Sequence, residues 1–302
     1  MGNKIGHFRS EAGRASYVRA YETAMAALPA PSETLDVTTS LGTVRAYRWA
    51  GADPRLTPVA LLPGRSSGVP MWSENLPVLL ESGRAVIAMD AIGDAGLSVQ
   101  TAPLRSFALQ ATWVDEALDE IGADKVHAVG HSFGGATAVA HALRHPDRVA
   151  TLTLLEPVFV LRMPPPSTYV WATLSMLPVP RRWRDHALAK IGGVSVEDVR
   201  ADSAIGTMIS VGAQQFQAAL PNPKPLNDEE LALLAMPTYV AIAGERSLAG
   251  GQRAAARAEL LPAATVEIWA GTTHSLPMQV HAQLGRRLRD FWDEAGVPEA
   301  GG

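Results

Sequence analysis

The stretch "VHAVGHSFGGATAV" contains Gly130-His131-Ser132-Phe133-Gly134. A serine with a glycine two residues away on each side, set between a short apolar strand pattern and an Ala-rich helical pattern, suits an activated nucleophile. Such a serine must stand on a sharp, strained turn with its oxygen exposed, and the glycines let strand and helix approach without a Cβ between them. The helix that follows aims its N-terminus at the same point, which favours a developing oxyanion. The chemistry is attack on an acyl carbonyl, and it needs a base. Eight histidines compete for that role. His131 lies within the turn and faces away if Ser132 faces out. His127 lies in a strand, His141 and His145 on the next helix and His281 on the last helix, where packing or surface roles suffice. His7 and His186 fall in an N-terminal arm and an irregular middle segment. His274, in "WAGTTHSLPMQ", occupies the loop between the last strand pattern and the last helix.

The elements that must carry these residues alternate. Glu11 to Leu28 has helical spacing of Tyr17, Val18, Tyr21 and Met25. "ETLDVTTS" and "TVRAYRWAG" read as strands around the Leu41-Gly42 turn. "PVALLPG" and Ala85 to Asp90 are short buried-strand patterns, with a helix between them that ends at Gly83. A helix over Leu104 to Ile121 follows, then the strand "KVHAVG", the helix after Ser132 and the strand "VATLTLLEP". From Val158 to about Asn227 the rhythm breaks into Pro164-Pro165-Pro166, short helical patterns and an Arg-rich run. We read this segment as an inserted helical cap. Alternation resumes with "PTYVAIAG", "GGQRAAARAELL" and "ATVEIWAG" and ends in a helix over Val280 to Trp292. The expected class is α/β, a mostly parallel central sheet with helices on both faces. Its core is 1–157 plus 228–302, with an arm at 1–30 and the cap at 158–227.

Composition narrows the function. The chain of 302 residues has no cysteine, which excludes disulfides, thiolate metal sites and a cysteine nucleophile. A formal charge of −4 provides no basic stripe for nucleic acid. The apolar runs are strand-length or broken by Gly and Pro, so no membrane span and no signal peptide are expected. A cytoplasmic location is the expectation, without metal or organic cofactor.

With "FRSEAGRASYVRAYETA", "MDAIGDAGLS", "VGHSFGG", "LPNPKPLNDEEL" and "GTTHSLPMQ" in view, the chain resembles the α/β-hydrolases over almost its full length. More narrowly, it resembles the bacterial serine carboxylesterases that carry an N-terminal helix ahead of the core. The resemblance implies that the histidine comes last in chain order, hence His274 as base to Ser132. It also implies an oxyanion hole of two backbone N–H groups, from Phe133 and from the loop after "PVALLPG". The usual His-Gly there is Pro63-Gly64 in this chain, and the donor becomes the N–H of Arg65.

The third member is the open point. In the resembled family the acid follows the next-to-last strand, three residues after a glycine. That glycine is Gly244, and the position holds Ser247, which cannot balance an imidazolium. A minority of α/β-hydrolases take the acid from the end of the strand after the nucleophile helix, and there this chain has Glu156. A carboxylate after "LTLL" at a strand end is costly to bury unless paired, and His274 is a partner for it. Glu245 is the alternative acid, while Asp90 and Asp94 are read as holding loop structure.

The expected activity is hydrolysis of a carboxylic ester or related acyl bond of a small, largely apolar substrate. Met163, Trp171 and Met176 of the cap are candidates for its pocket. The alternatives are a tailoring enzyme of the same fold (cyclase, lactonase, thioesterase or C–C hydrolase) or a non-hydrolytic small-molecule binder. A homodimer formed through the Arg-rich cap is a further possibility.

Overall fold

The apolar runs of the sequence become the strands of one sheet. The computed structural model describes residues 4–177, 179–200 and 203–295, so the outer ends of the expected arm and core lie outside the described residues. In chain order the elements open with β1 (His7–Phe8), α1 (Glu11–Met25), β2 (Glu33–Thr39), β3 (Gly42–Trp49), β4 (Val59–Leu62), α2 (Leu76–Leu80), β5 (Val86–Met89) and β6 (Val99–Gln100). Next come α3 (Leu109–Ile121), β7 (Val126–His131), α4 (Phe133–Arg144) and β8 (Val149–Leu155). Between β8 and the rest of the core lie α5 (Pro166–Met176), α6 (Arg181–Gly192), α7 (Val196–Arg200), α8 (Ala204–Gln215) and β9 (Phe216–Gln217). The chain closes with α9 (Asp228–Ala232), β10 (Thr238–Ala243), α10 (Gln252–Ala258), β11 (Ala264–Trp269), α11 (Leu276–Gln279) and α12 (His281–Glu294).

The sheet runs β11-β10-β8-β7-β4-β5-β3-β2, with β6 paired to β3. Pairing is parallel from β11 through β5 and antiparallel at β3, which joins β5, β2 and β6. Strands β4, β5, β7, β8 and β10 are buried along their whole length, as expected when helices cover both faces. Successive residues then serve opposite cores. Val240 and Ile242 pack with Trp113 of α3, Val139 of α4 and Ala255 of α10. Tyr239 and Ala241 pack with Tyr17 of α1, Leu76 of α2 and Leu288 of α12.

Three local expectations shift. The helix expected from Leu104 begins at Leu109, because residues 106–108 form a bend and a turn first, with the N–H of Leu109 on the Ser106 carbonyl. The first helix stops at Met25. The helix expected before Gly83 divides into a 3₁₀ turn at Val69–Trp72 and the short α2. The pairing of β1 with β9 was not read from sequence. It stitches the arm to the segment after α8, where Phe8 meets Phe216 edge-on at 5.0 Å and the Arg9 N–H reaches the Gln215 carbonyl at 2.7 Å. Two-residue strands carry no periodicity of their own, so only the long-range contact defines them. Among the described residues no helix is long and apolar enough to cross a membrane.

Three buried imidazoles make the fold sensitive to acid. His127 lies against Trp292, with ring centroids 5.3 Å apart, and its Nδ1 is 2.9 Å from the Thr151 hydroxyl. Burial pushes His127 and His131 down to about 3 and His141 down to about 4. Each folded-state value lies below the unfolded one, so each ring's contribution is complete above about pH 6.5 and is lost as pH falls towards the folded value. Asp90 works the other way, being raised by burial to about 6, and Asp94 shifts in the same direction. With three rings against two carboxyls, the melting temperature is expected to fall steadily from pH 7 to pH 5. A calorimetric series that stays flat over that range would contradict the burial of the neutral rings.

Candidate active site

Strand β7 delivers the chain to Ser132 and α4 carries it away at once, so the turn between them has one residue to spend. Ser132 takes φ 54° and ψ −118°, a conformation that costs a non-glycine residue about 1–3 kcal/mol. Its backbone is held on both sides: its N–H reaches the Leu155 carbonyl at 3.0 Å, and its carbonyl accepts from Gly135 at 3.1 Å and Val158 at 3.3 Å. The glycines are sterically required. A Cβ on Gly130 would run into the Gly134 carbonyl, and one on Gly134 into the carbonyl oxygens of Leu62 and Pro63.

His274 lies between β11 and α11, with its side chain buried. Its Nε2 is 3.0 Å from Ser132 Oγ and its Nδ1 is 3.1 Å from Glu156 Oε2. Glu156 is fully buried, one residue past β8, and has φ +47°. Its carboxylate collects donors from the end of β10 and the loop after it. Oε1 accepts the Ala243 N–H at 2.8 Å and the Ser247 hydroxyl at 2.6 Å. Oε2 accepts the N–H groups of Leu248 at 3.0 Å and Ala249 at 3.4 Å. Burial raises the carboxyl, but the bonds and charge of His274, then Ser247 and Ala243, outweigh it and hold Glu156 below the usual carboxylate range. An ionised carboxylate only accepts. The proton of His274 therefore sits on Nδ1, and Nε2 presents its lone pair to the Ser132 hydroxyl.

The loop after β4 lies against this pair: a Cβ on Gly64 would sit 3.4 Å from Ser132 Cβ. Asp94 and Asp90 shape that loop. Asp94 accepts the Ser66 N–H at 2.7 Å, and Asp90 accepts those of Val69 at 2.8 Å and Leu97 at 2.7 Å. Arg65 is exposed, while Phe133 is buried and meets Phe107 edge-on. Phe133 opens α4, and a first-position N–H has no partner within its own helix.

The residues expected from sequence thus divide. Ser132, His274 and Glu156 are brought together, with Phe133 and the Arg65 loop beside them. Glu245 is exposed, and its N–H bonds the Thr272 carbonyl at 2.8 Å. Met163 and Met176 are exposed, and Trp171 packs edge-on to His186 within the cap segment, so these three are not gathered with Ser132. Three contacts escaped the sequence reading. His131 Nε2 lies 3.0 Å from the His274 carbonyl. The hydroxyls of Thr273 and Ser275 each reach the Gly192 carbonyl at 3.0 Å, tying the end of α6 to both neighbours of His274. Ser247 donates to Glu156. The paired hydroxyls in "TTHS" were the available sign of the second contact.

A sheet in this order with a serine at the strand–helix turn is the α/β-hydrolase fold, and the family model described as alpha/beta hydrolase fold matches residues 57–197 of this chain. The chain is 25% identical over 282 residues to carboxylesterase YbfK of Bacillus subtilis, covering 91% of this chain and 93% of that protein. It is 29% identical over 224 residues to a 2-hydroxymuconate semialdehyde hydrolase of Pseudomonas putida, covering 70% and 78%. The crystal structure of YbfK superposes with a TM-score of 0.84 at 23% identity, covering 95% of this chain and 100% of that one. Naproxen esterase of Bacillus subtilis gives 0.83 at 20% identity, covering 94% and 99%.

Because the carbonyls facing Gly134 belong to Leu62 at the end of β4 and to Pro63 next to it, Gly134→Ala is expected to cost about 2–4 kcal/mol or to displace Ser132. Urea unfolding measures the loss, and a variant as stable and active as the parent would contradict the close approach.

Proposed function

We propose that this chain is a serine carboxylesterase in which Ser132 is the nucleophile, His274 the base and Glu156 the acid. The observation that carries this reading is the unbroken line of hydrogen bonds, 3.0 Å from Ser132 Oγ to His274 Nε2 and 3.1 Å from His274 Nδ1 to Glu156. The full-length likeness to a curated carboxylesterase supports it.

In this mechanism Ser132 attacks the ester carbonyl as its proton passes to His274 Nε2. The oxyanion draws on the N–H groups of Phe133 and Arg65, aimed by the start of α4 and by the loop that Asp94 and Asp90 hold. The imidazolium is balanced by Glu156, which stays ionised throughout. His274 returns the proton to the leaving alcohol, and water then cleaves the acyl-enzyme by the same steps in reverse. We take 1–157 and 228–302 as the hydrolase core, 1–30 as its arm and 158–227 as a cap over the site. The substrate class is a small, largely apolar ester.

A second reading is hydrolysis of a C–C bond in a ring-cleavage product. The observation that favours it is the identity to 2-hydroxymuconate semialdehyde hydrolase, which extends over most of this chain. Both substrates are tested on one panel: aryl esters of increasing acyl length beside 2-hydroxymuconate semialdehyde.

A fluorophosphonate probe is expected to label Ser132, seen by peptide mass. Glu156→Gln is expected to lower kcat on aryl esters by about 10³–10⁴-fold, whereas Glu245→Gln leaves it near the parent value. Labelling elsewhere, or full activity in Glu156→Gln, would sink the triad as assigned.

A further inference from the structure

Ser247 has more bonds than a loop serine needs. Its Oγ accepts the Gly250 N–H at 3.2 Å and the Gly251 N–H at 3.0 Å, and lies 2.6 Å from Glu156 Oε1. A serine hydroxyl has two lone pairs and one proton. The two N–H groups fill the lone pairs, so the proton has one direction left, towards Glu156.

That direction matters because of where the carboxylate hangs. Glu156 reaches the site from a residue at φ +47°, on a side chain of two methylenes whose last bond turns freely in the absence of partners. His274 and the N–H groups of Leu248 and Ala249 hold one oxygen. The Ser247 hydroxyl and the Ala243 N–H hold the other, which stops rotation about the final bond and keeps Oε2 in line with Nδ1.

We propose that Ser247 is a positioning residue for the catalytic triad, fixing the Glu156 carboxylate in the orientation that His274 requires. The proposal rests on the triad reading above. It carries a further consequence for residue 247. Because Ser247 Oγ touches one carboxylate oxygen and His274 Nδ1 the other, a carboxylate borne on residue 247 enters the same space once Glu156 is shortened.

The test uses full-length protein, aryl ester kinetics and circular dichroism to establish that each variant is folded. Ser247→Ala is expected to lower kcat about 10-fold, the scale of a lost hydrogen bond to a charged group, with KM unchanged. Ser247→Thr, which keeps the hydroxyl, restores most of that loss. Glu156→Ala loses on the order of 10³-fold, and adding Ser247→Asp to it recovers at least about 10-fold. Parental kcat in Ser247→Ala overturns the proposal, as does a double variant no more active than Glu156→Ala. If Glu156→Ala itself keeps parental kcat, the triad reading fails and the proposal falls with it, an outcome distinct from failure of Ser247 alone.

Discussion

A carboxylate with no exposure to solvent sits at the end of a central strand of the sheet. Leaving water costs such a group several kcal/mol unless donors replace the hydration shell. Here five donors surround it: three backbone N–H groups, one hydroxyl and one imidazole. Only the imidazole also meets Ser132, through its Nε2. The others come from the last residue of β10 and the loop that follows it, so that loop is folded around the charge, and the charge is tolerable because of these donors. Removing either leaves the other unsatisfied in a dry interior.

Strand order makes this encounter possible. β8 lies between β7 and β10, and the register sets His131 beside Leu155 and Leu155 beside Ala241. One residue further along each strand, Ser132 and Glu156 leave the sheet as neighbours at its C-terminal edge, with the loop after β10 on the far side. Sites on parallel sheets form at that edge because the connections all emerge there. The histidine arrives from the next strand outward, β11. Its loop is anchored by the Gly192 carbonyl through Thr273 and Ser275 and by the His131 ring through its own carbonyl. The position of α6 and the position of His274 are therefore mechanically linked.

Much of the core was legible because its signals are local. Gly130 and Gly134 frame Ser132 in a pattern that a close strand–helix approach requires, and the mostly apolar runs of β7, β8 and β10 announce burial on both faces. Glu156 was legible for a different reason, since a lone charge ending such a run has to be explained. What escaped was set by contacts distant in sequence. Ser247 read as a vacancy because a hydroxyl is too weak to serve as the acid, and its role as donor exists only once Glu156 is beside it. The apolar cap residues gave no orientation: Met163, Tyr169, Met176, Leu177 and Trp183 are all exposed. Helix α5 has only Ser175 fully buried, and no hydrophobic period separates an inner from an outer face of it.

The arm belongs to the same chain of dependence. Tyr17 and Tyr21 of α1 are fully buried, and the ring of Tyr21 and Asp90 Oδ1 both flank Gly68, each 3.1 Å from where a Cβ would stand. Burial, then the charges of Asp90 and Asp94, raise the Tyr17 hydroxyl well above its usual range. The two tyrosines of the arm are thus buried beside the two carboxylates that hold the loop carrying Arg65. In water those carboxylates would exchange their backbone partners for solvent at little cost, and the loop would lose its constraint. Buried, they accept from the N–H groups of Ser66, Ala95, Val69 and Leu97. The arm's pairing with β9 and its packing on α8 then bear on the site at one remove, through the buried acids that hold the loop after β4.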